Sequence, residues 1–381
     1  MIRGIVLLFA LGWTALLAQP LRFHEYTVAS GLKTGYQLVA ADLNGDGRRD
    51  LIALDERGTE LIWLEAPHWQ RHVLAAGIER PINLECHATD GSRIPECVLA
   101  LHFESNPEKS AGDIYVLKAG ADVRQPWTRR EIDRVPAAHR IRWIDIGGDG
   151  RKAVLLSPLA GEKARPPLYD ADTPVYLYRP GVWKRETVIT NLHGVAHAIL
   201  PVRWKGKGES LLTASFQGIR LYTPGKTPWP FVELSKGDPR PCPECGASEV
   251  RTGKLGKTRI MASIEPWHGN QVVVYVERGK TWTRTVIEDG MVNGHALAVG
   301  DLDGDGRDEI VAGFRGKGFR LTVYHASDAS GTKWTQQVID DGGIAAAECK
   351  IEDFTGDGKP DIACIGASTG NVKLYENLTG R

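Results

Sequence analysis

The sequence predicts an all-β fold, a seven-bladed β-propeller of four-stranded blades with calcium-binding turns. Three observations predict it: one pattern recurs seven times, short apolar strands alternate with glycine-rich turns, and three repeats share an acidic turn motif. The 381 residues include 43 glycines and carry a formal net charge of zero. The glycine content favours many short strands over long helices. The charge balance gives no reason to expect a nucleic-acid partner.

The first residues are typical of a signal peptide. Arg3 supplies a positive charge, and an apolar segment that starts at Ile5 ends in the small residue Ala18. A membrane-spanning helix would need about 20 apolar residues. We therefore expect residues 1–18 to be a signal peptide, with an uncleaved anchor as the alternative. Residues 19–381 should form a single propeller domain that is secreted or periplasmic, with no other contact with the membrane.

The repeated pattern consists of an aromatic residue, an alternating strand, a loop, two apolar strands joined by a glycine turn, and an aromatic-rich strand. Units of roughly 45 to 55 residues with four short strands favour a radial all-β repeat over a solenoid, which is the alternative. Ring closure also protects strand edges from aggregation. The first copy lies at the N-terminus, so we expect it to complete the last blade. The seven copies start at Phe23, Trp69, Trp127, Trp183, Trp229, Trp282 and Trp334.

Six cysteines can be oxidised if the chain is exported. Two pairs lie at separations suited to neighbouring strands of one blade, namely Cys86 with Cys97 and Cys349 with Cys364. A third pair forms the CxxC motif Cys242–Cys245. Such a motif can bind metal or perform redox chemistry, but only one is present, so a local disulfide is the favoured interpretation.

Three turns place oxygen side chains at positions 1, 3, 5 and 9. Alternate spacing lets a tight loop point several oxygens inward, and hard oxygen ligands suit Ca²⁺. An EF-hand is the rival, but position 12 lacks the required glutamate and the flanks are rich in β-strand patterns. We expect structural calcium in these loops. The predicted ligands are Asp42, Asn44, Asp46 and Asp50; Asp301, Asp303, Asp305 and Glu309; and Asp353, Thr355, Asp357 and Asp361.

These turns, each followed by an apolar strand, resemble the FG-GAP or VCBS repeat. That family forms β-propellers, among them adhesion modules, lectins and polysaccharide lyases. The resemblance covers nearly the whole mature chain and implies the fold much more strongly than it implies a function.

Alignment of the repeats on their glycine turns places one residue of each blade at the start of the innermost strand. Innermost strands surround the central channel of a propeller, so these residues should converge in one funnel. Three histidines, an arginine and a tyrosine are unusual as packing residues. The turns of blades two, four and five lack the full motif, which leaves the register there less defined. The seven residues are Tyr36, Arg80, His139, His197, Cys245, His295 and Ala347.

Loops on the same face should add further polar and aromatic side chains. The loops between the second and third strands contain His102, Trp267, His268 and Arg315, while His193 and Glu348 lie beside the ring positions. Six of the eleven histidines are therefore predicted on one face. We expect this face to be the functional one, with the loop residues binding substrate.

Two chemistries fit this face. His139, His197 and His295, with Glu348 or water, could hold Zn²⁺ or another divalent transition metal. Alternatively, histidine and Tyr36 could act as general base and acid without a metal. Either arrangement suits proton abstraction next to a carbonyl followed by loss of a leaving group. The residues predicted to carry or assist this chemistry are Tyr36, Arg80, His139, His193, His197, His295 and Glu348.

The histidine-bearing strand starts, combined with the acidic turns, resemble the propeller domain of aldos-2-ulose dehydratases. The quoted segments are Ala138-His139, His193-Gly-Val-Ala-His197 and Asn293-Gly-His295. The resemblance implies a metal-containing enzyme that eliminates water from keto-sugars. We therefore expect an exported lyase or dehydratase acting on a keto-sugar or a uronic-acid glycan. The alternative is a non-catalytic propeller that binds carbohydrate or protein through the same face.

Overall fold

The computed structural model of the chain describes residues 20–89 and 91–380. Over these ranges the strands form seven four-stranded antiparallel sheets, which confirms the predicted propeller. The predicted signal peptide, residues 1–18, lies outside the described residues. Within the described ranges, no helix has the length and apolar character needed to cross a membrane.

The strands follow one another blade by blade. Strand β1 spans Phe23–Ser30. Blade one contains β2 (Gly35–Ala41), β3 (Asp50–Asp55), β4 (Glu60–Glu65) and β5 (Gln70–Ala76), and blade two contains β6 (Asn83–His87), β7 (Glu96–Leu101), β8 (Asp113–Lys118) and β9 (Thr128–Arg134). Blade three contains β10 (Ala138–Ile144), β11 (Ala153–Pro158), β12 (Asp172–Tyr178) and β13 (Glu186–His193), and blade four contains β14 (Ala196–Val202), β15 (Ser210–Ser215), β16 (Gly218–Tyr222) and β17 (Phe231–Ser235). Blade five contains β18 (Glu249–Leu255), β19 (Thr258–Glu265), β20 (Gln271–Arg278) and β21 (Thr281–Glu288), and blade six contains β22 (Gly294–Gly300), β23 (Glu309–Phe314), β24 (Arg320–Ala326) and β25 (Trp334–Asp341). Blade seven contains β26 (Ala346–Glu352), β27 (Asp361–Gly366) and β28 (Asn371–Asn377), and one 3-10 helix, Pro107–Lys109, lies between β7 and β8.

The ring is closed by the N-terminal strand. Strand β1 pairs with β28 as the fourth strand of blade seven, in a register that runs from Phe23 opposite Asn377 to Ser30 opposite Asn371. The first strands of successive blades also pack against one another in a closed circuit from β2 through β26 and back to β2. The predicted closure of the last blade is therefore confirmed, and the solenoid alternative is excluded.

Burial decreases from the centre of each blade to its rim. Strand β3 is buried throughout, whereas β9 is mostly exposed. The aromatic residues of the third strands are largely buried, and several of their tyrosine hydroxyl groups contact acidic residues. Tyr178 contacts Asp133 at 2.6 Å, and Tyr375 contacts Asp340 at 2.7 Å. The apolar layers thus hold the blades in fixed positions around the channel.

In five blades, a β-bulge changes the direction in which one side chain of the innermost strand points. The pairing of the first strand with the second skips the second residue of the first strand in each case. An extra residue of this kind bends the strand and redirects its side chain. The residues at the bulges are Tyr36, His139, His197, His295 and Ala347. The register predicted for these five blades is therefore correct.

The cysteines form three disulfides, and no cysteine of the described ranges is free. Two of them link adjacent strands of one blade, and the third closes the CxxC loop, as the spacings predict. The pairs are Cys86 with Cys97, Cys349 with Cys364, and Cys242 with Cys245.

The three acidic turns join the first and second strands of blades one, six and seven. In each turn the first aspartate accepts backbone N–H bonds; Asp42, for example, accepts from Gly45 at 2.7 Å and from Gly47 at 2.9 Å. Asp145 of blade three accepts equivalent bonds, although its turn lacks oxygen side chains at positions 3 and 9. The carboxylate therefore shapes the turn by itself, and calcium binding stays a prediction.

Candidate functional site

Four histidines meet at the mouth of the central channel: His139, His197, His268 and His295. The ring centroid of His197 lies 4.9 Å from that of His139, 4.9 Å from that of His268 and 5.3 Å from that of His295. Three of the rings are buried, with exposures of 2% for His139, 0% for His197 and 5% for His295. His268 is half-buried. We call these four residues the histidine cluster.

Two local features bring the histidine cluster together. The bulges of β10, β14 and β22 direct three of the histidines to the channel axis. His268 comes from the β19–β20 loop, where its backbone has a φ of 49°, a left-handed conformation that histidine adopts more readily than most residues. Gly294 lets this loop approach β22, because a Cβ atom there would lie only 2.8 Å from the carbonyl oxygen of Gly269.

Hydrogen bonds fix which ring nitrogen of each histidine is available. The Nδ1 atom of His197 lies 3.2 Å from a carboxylate oxygen of Glu249 and 3.2 Å from the carbonyl oxygen of Ser248. The Nδ1 atom of His295 donates to the carbonyl oxygen of Ala347 at 2.5 Å. Both rings therefore carry their proton on Nδ1 and keep a lone pair on Nε2. The Nε2 atom of His268 lies 3.1 Å from that of His197.

This donor set fits a divalent transition metal. One ligand atom from each of His197, His268 and His295 lies within 4.8 Å of the others. Metal-binding histidines usually donate their second ring N–H to a carboxylate or a backbone carbonyl, as His197 and His295 do here. The Nε2 atom of His295 is buried and has no hydrogen-bond partner. The trio differs from the one predicted from sequence, since His268 takes the place of His139.

The electrostatic environment keeps the cluster neutral. Burial, together with the positive charge of Arg140, lowers the pKa of His197 from 6.5 to about 4. Burial likewise holds the pKa of His139, His268 and His295 well below the usual value. Neutral imidazole is the form that binds metal or accepts a proton.

His139 belongs to a different set of contacts. Its Nε2 atom lies 2.8 Å from the hydroxyl of Tyr36 and 3.0 Å from a guanidinium nitrogen of Arg140. Because a guanidinium group only donates, this Nε2 atom carries the lone pair. Its Nδ1 atom is buried without a hydrogen-bond partner. His139 and Tyr36 thus form a pair between which a proton can move.

A ring of polar residues, which we call the polar belt, lies next to the cluster along the channel. Its members occupy the position that follows the bulge, and several accept a backbone N–H bond from the next blade. The carboxylate of Glu348 accepts from Leu38 at 3.1 Å, and the side chain of Gln37 accepts from Leu84 at 2.7 Å. The other oxygen of Glu348 binds Lys350 at 2.7 Å. Both oxygens of Glu348 thus accept hydrogen bonds, and its role as a metal ligand stays a prediction.

The prediction for blade two is wrong in register. Asn83 accepts from Ile141 at 2.8 Å and so occupies the polar-belt position that Gln37 occupies in blade one. The residue equivalent to Tyr36 is therefore Ile82, and Arg80 lies two residues earlier, in the loop that enters β6. There Arg80 forms an ion pair with Glu104. The blade-two turn lacks the acidic motif, so the alignment could not fix the register of this blade relative to the others.

Blade five needs a similar correction. Glu249 is the polar-belt residue of β18, and Ser248, which contacts His197, precedes it. Cys245 lies three residues before Ser248 and is bonded to Cys242. Ser248, not Cys245, therefore occupies the ring position of this blade.

Two predicted histidines do not join the cluster. The Nδ1 atom of His102 lies 2.5 Å from a carboxylate oxygen of Asp113. His193 is half exposed at the end of β13 and contacts Asp170 at 2.8 Å and Asp172 at 3.1 Å. The hydrogen bond with Asp172 raises the pKa of His193. Each has its own acidic partners on its own blade, and this satisfies the imidazole locally.

The loop residues that surround the cluster include the predicted Trp267 and Arg315. The ring of Trp267 lies 4.9 Å from that of His268, and Phe103 lies 5.4 Å from His139. Arg315 donates to Asn293 at 3.0 Å, and burial lowers its pKa. Buried nitrogens of Trp267 and Arg315 have no hydrogen-bond partner. Natural proteins rarely leave such atoms unpaired, so these two nitrogens are candidate contacts for a ligand.

Sequence reasoning missed Arg140, Glu249 and Glu56. Arg140 and Glu249 form an ion pair of 3.0 Å in which both side chains are 5% exposed. Burial raises the pKa of Glu249, but the hydrogen bond from His197 and the charges of Arg140 and Arg251 outweigh this effect and hold the pKa well below its usual value. Burial raises the pKa of Glu56, which lies near Arg315. The one available signal was the charge of Arg140 inside the otherwise largely apolar strand β10.

Comparison with known proteins identifies two families to which parts of the chain are similar. Residues 111–278 match the family model described as the β-propeller domain of aldos-2-ulose dehydratase, and residues 293–324 match the FG-GAP repeat. The aldos-2-ulose dehydratase of Phanerodontia chrysosporium is 25% identical over 297 residues, which cover 68% of this chain and 32% of the relative. The chain shows distant homology to aldos-2-ulose dehydratase. Both resemblances stated from the sequence are thereby confirmed, although the match spans about a third of the fungal protein.

Solved structures support the fold alone. BBS1N in complex with ARL6DN has a TM-score of 0.62 at 11% identity, with 95% of this chain and 98% of that chain covered. Sqt1 of Saccharomyces cerevisiae has a TM-score of 0.56 at 11% identity, covering 88% and 82%. The extracellular domain of a putative one-component system from B. thetaiotaomicron has a TM-score of 0.55 at 14% identity, covering 93% and 40%.

Proposed function

We propose that the protein is an exported lyase or dehydratase that eliminates water, or another leaving group, next to the carbonyl of a keto-sugar or a uronic-acid glycan. The observation that carries the proposal is the histidine cluster, in which three rings bring one ligand nitrogen each within 4.8 Å of the others and two rings have an unpartnered buried nitrogen. The distant homology to aldos-2-ulose dehydratase supports the same class of reaction.

In this proposal His197, His268 and His295 hold a divalent transition metal such as Zn²⁺. When bound, such a metal supplies a Lewis acid that polarises a carbonyl oxygen. Glu249 and the carbonyl of Ala347 keep the proton of His197 and His295 on Nδ1. Arg140 adds a positive charge that keeps the rings neutral at physiological pH.

Tyr36 and His139 are proposed as the acid–base pair. The Nε2 atom of His139 accepts the proton of the Tyr36 hydroxyl, and Arg140, 3.3 Å from that hydroxyl, stabilises the resulting oxyanion. The Tyr36 oxygen then takes the proton from the carbon next to the carbonyl, and the electrons of that C–H bond form the C=C bond. The C–O bond at the β carbon breaks, and its hydroxyl leaves as water after it takes a proton from the pair.

The side chains around the cluster are suited to a sugar. Trp267 and Phe103 offer aromatic faces, and Arg315 offers a buried, unpaired N–H group for a hydroxyl or a carboxylate.

We further propose structural calcium in the acidic turns of blades one and seven. Three carboxylates of blade six, those of Asp301, Asp303 and Asp305, also have oxygens within 4.8 Å of one another.

The first test is elemental analysis of purified, extensively dialysed protein without a His tag, combined with assays for keto-sugar dehydration. We expect His268→Ala to contain about one equivalent of transition metal less than the wild type, and His68→Ala, a matched change at an exposed histidine, to lose none. Dehydration should disappear with the metal and return when the metal is restored to the wild-type protein.

Two other outcomes would redirect the proposal. Dehydration without any transition metal would favour acid–base chemistry by Tyr36 and His139 alone. Binding of a sugar that is recovered unchanged, with no turnover in any assay, would contradict the lyase proposal and favour a non-catalytic carbohydrate-binding propeller.

A further inference from the structure

A second group of metal-ligand side chains lies in blade six, at the end of the blade opposite the histidine cluster. It consists of Asp303 in the acidic turn, Glu309 at the start of β23 and His325 on the neighbouring strand β24. One ligand atom from each lies within 4.8 Å of the others. Two of the three were predicted as calcium ligands, but His325 has no place in an all-oxygen calcium site.

His325 is the residue that distinguishes this group. It is 7% exposed, and its Nδ1 atom is buried without a hydrogen-bond partner. That atom lies 3.7 Å from a carboxylate oxygen of Glu309, which is too far for a hydrogen bond. Glu309 is 3% exposed, and its other oxygen accepts from the backbone of Leu302 at 2.8 Å. A buried nitrogen thus lies close to a carboxylate oxygen without a hydrogen bond, and a buried nitrogen left unpaired is costly unless something binds it.

Blades one and seven provide an internal comparison. The strand registers place Glu65 beside Asp50 and Glu376 beside Asp361, at the position that His325 occupies beside Glu309. In blade one Glu65 is occupied by Arg124 at 2.9 Å and His72 at 2.7 Å. Of the three blades that have the acidic turn, only blade six puts an imidazole at this position.

We propose that Asp303, Glu309 and His325 form a binding site for Zn²⁺ or a similar first-row transition metal, separate from the histidine cluster. Two carboxylates and one imidazole supply three protein ligands, and water completes the coordination. Nitrogen ligands favour such metals over calcium, which prefers six to eight oxygens. Blade six would then hold a transition metal where calcium was predicted. This inference is independent of the proposed catalytic function.

Cobalt(II) is a suitable probe because its visible absorption reports nitrogen and oxygen coordination. The measurement uses chelator-treated protein that carries His268→Ala, which removes the histidine cluster as a competing site, in an excess of calcium. We expect this protein to bind one equivalent of cobalt. Adding His325→Gln should remove that binding, whereas adding His68→Gln at an exposed histidine should leave it unchanged.

Circular dichroism and thermal unfolding of each variant establish that it is folded. If His325→Gln fails to fold, Asp303→Asn in the half-buried turn takes its place, since it removes a ligand without disturbing a strand. Cobalt binding that survives either change in a folded protein, or that excess calcium abolishes, would overturn the proposal.

Discussion

Arg140 and Glu249 form an ion pair of 3.0 Å that links blades three and five across the channel, past the intervening blade four. The corresponding residue of blade four is Ala198, whose small side chain leaves room for the pair. Loss of one partner leaves an uncompensated buried charge, so Glu249→Gln and Arg140→Met should each lower the free energy of unfolding by about 3–5 kcal/mol. Denaturant unfolding of the single and double variants measures this, and the double variant should lose less than the sum of the two.

The exposed pair Arg259–Glu277 is the control for this cycle. Its side chains are 37% and 25% exposed, so Glu277→Gln should cost about 1 kcal/mol or less. If Glu277→Gln and Glu249→Gln lower the free energy of unfolding equally, then the buried position of Glu249 in the channel does not increase its contribution to stability.

Acidification should destabilise the chelator-treated protein. The pKa of His197 is about 4 in the folded chain against 6.5 for the ordinary side chain. As the pH falls below 6.5, the unfolded chain takes up a proton that folded His197 refuses until about pH 4, so stability falls across this window. Each such histidine contributes a slope of about 1.4 kcal/mol per pH unit.

The pH dependence can be assigned to His197 by comparison with His197→Gln. Between pH 6.5 and 4, the free energy of unfolding of the variant should fall less steeply as the pH is lowered. The difference in slope should correspond to the uptake of about one proton on unfolding. Parallel curves for the two proteins would mean that His197 titrates normally in the folded state.

A single methyl group at Gly294 should disturb the cluster. In Gly294→Ala the new Cβ atom would meet the carbonyl oxygen of Gly269 at 2.8 Å, so β22 and the loop that carries His268 must move apart. We expect metal affinity to fall about 10- to 100-fold, as when supporting contacts of a metal site are lost. Equilibrium titration with zinc measures this. Gly225→Ala, where a Cβ atom meets nothing within 4 Å, should bind as the wild type does.

Removal of β1 should open the ring. A chain that starts at Gly31 leaves the edge of β28 unpaired, and exposed edges pair with other chains. We expect oligomers by size-exclusion chromatography and a lower thermal midpoint. A peptide spanning residues 20–30, added in trans, should restore the elution volume of the full-length protein. A truncated chain that elutes as the full-length protein does, with an unchanged midpoint, would show that the seam contributes little.

The sequence was sufficient for the fold and for much of the site, because both depend on local repeats. Seven aromatic starts predicted seven blades, and the acidic turns of blades one and six set the register that places Tyr36 and His295 correctly. Where the turn has no acidic motif, the register was not fixed in this way. The predicted ring positions were therefore wrong in two blades. Arg80 lies two residues before the actual ring residue Ile82, and Cys245 lies three residues before Ser248.

The rest depends on contacts between blades, which a repeat pattern does not contain. The pairing of Arg140 with Glu249 joins residues 109 apart in sequence, and that of Tyr36 with His139 joins residues 103 apart. His268 joins the cluster from a loop whose backbone conformation the alignment does not specify. His325 lies on the strand next to the one that follows the acidic turn, so the turn motif does not include it.

The pairing of β1 with β28 also orders the events of folding. Blades three to six carry all four histidines of the cluster on one continuous stretch of chain, so these rings can approach one another while blade seven is still incomplete. Tyr36 belongs to blade one, so its contact with His139 of blade three also lies within one continuous stretch of chain. Its contact with His295 of blade six, in contrast, requires the arc to become a circle. That circle closes only when strands more than 300 residues apart in sequence meet, a slow step by comparison with local pairing. The metal-ligand geometry and the Tyr36–His139 pair can therefore form early, whereas the contact between Tyr36 and His295 is completed by the last step of folding.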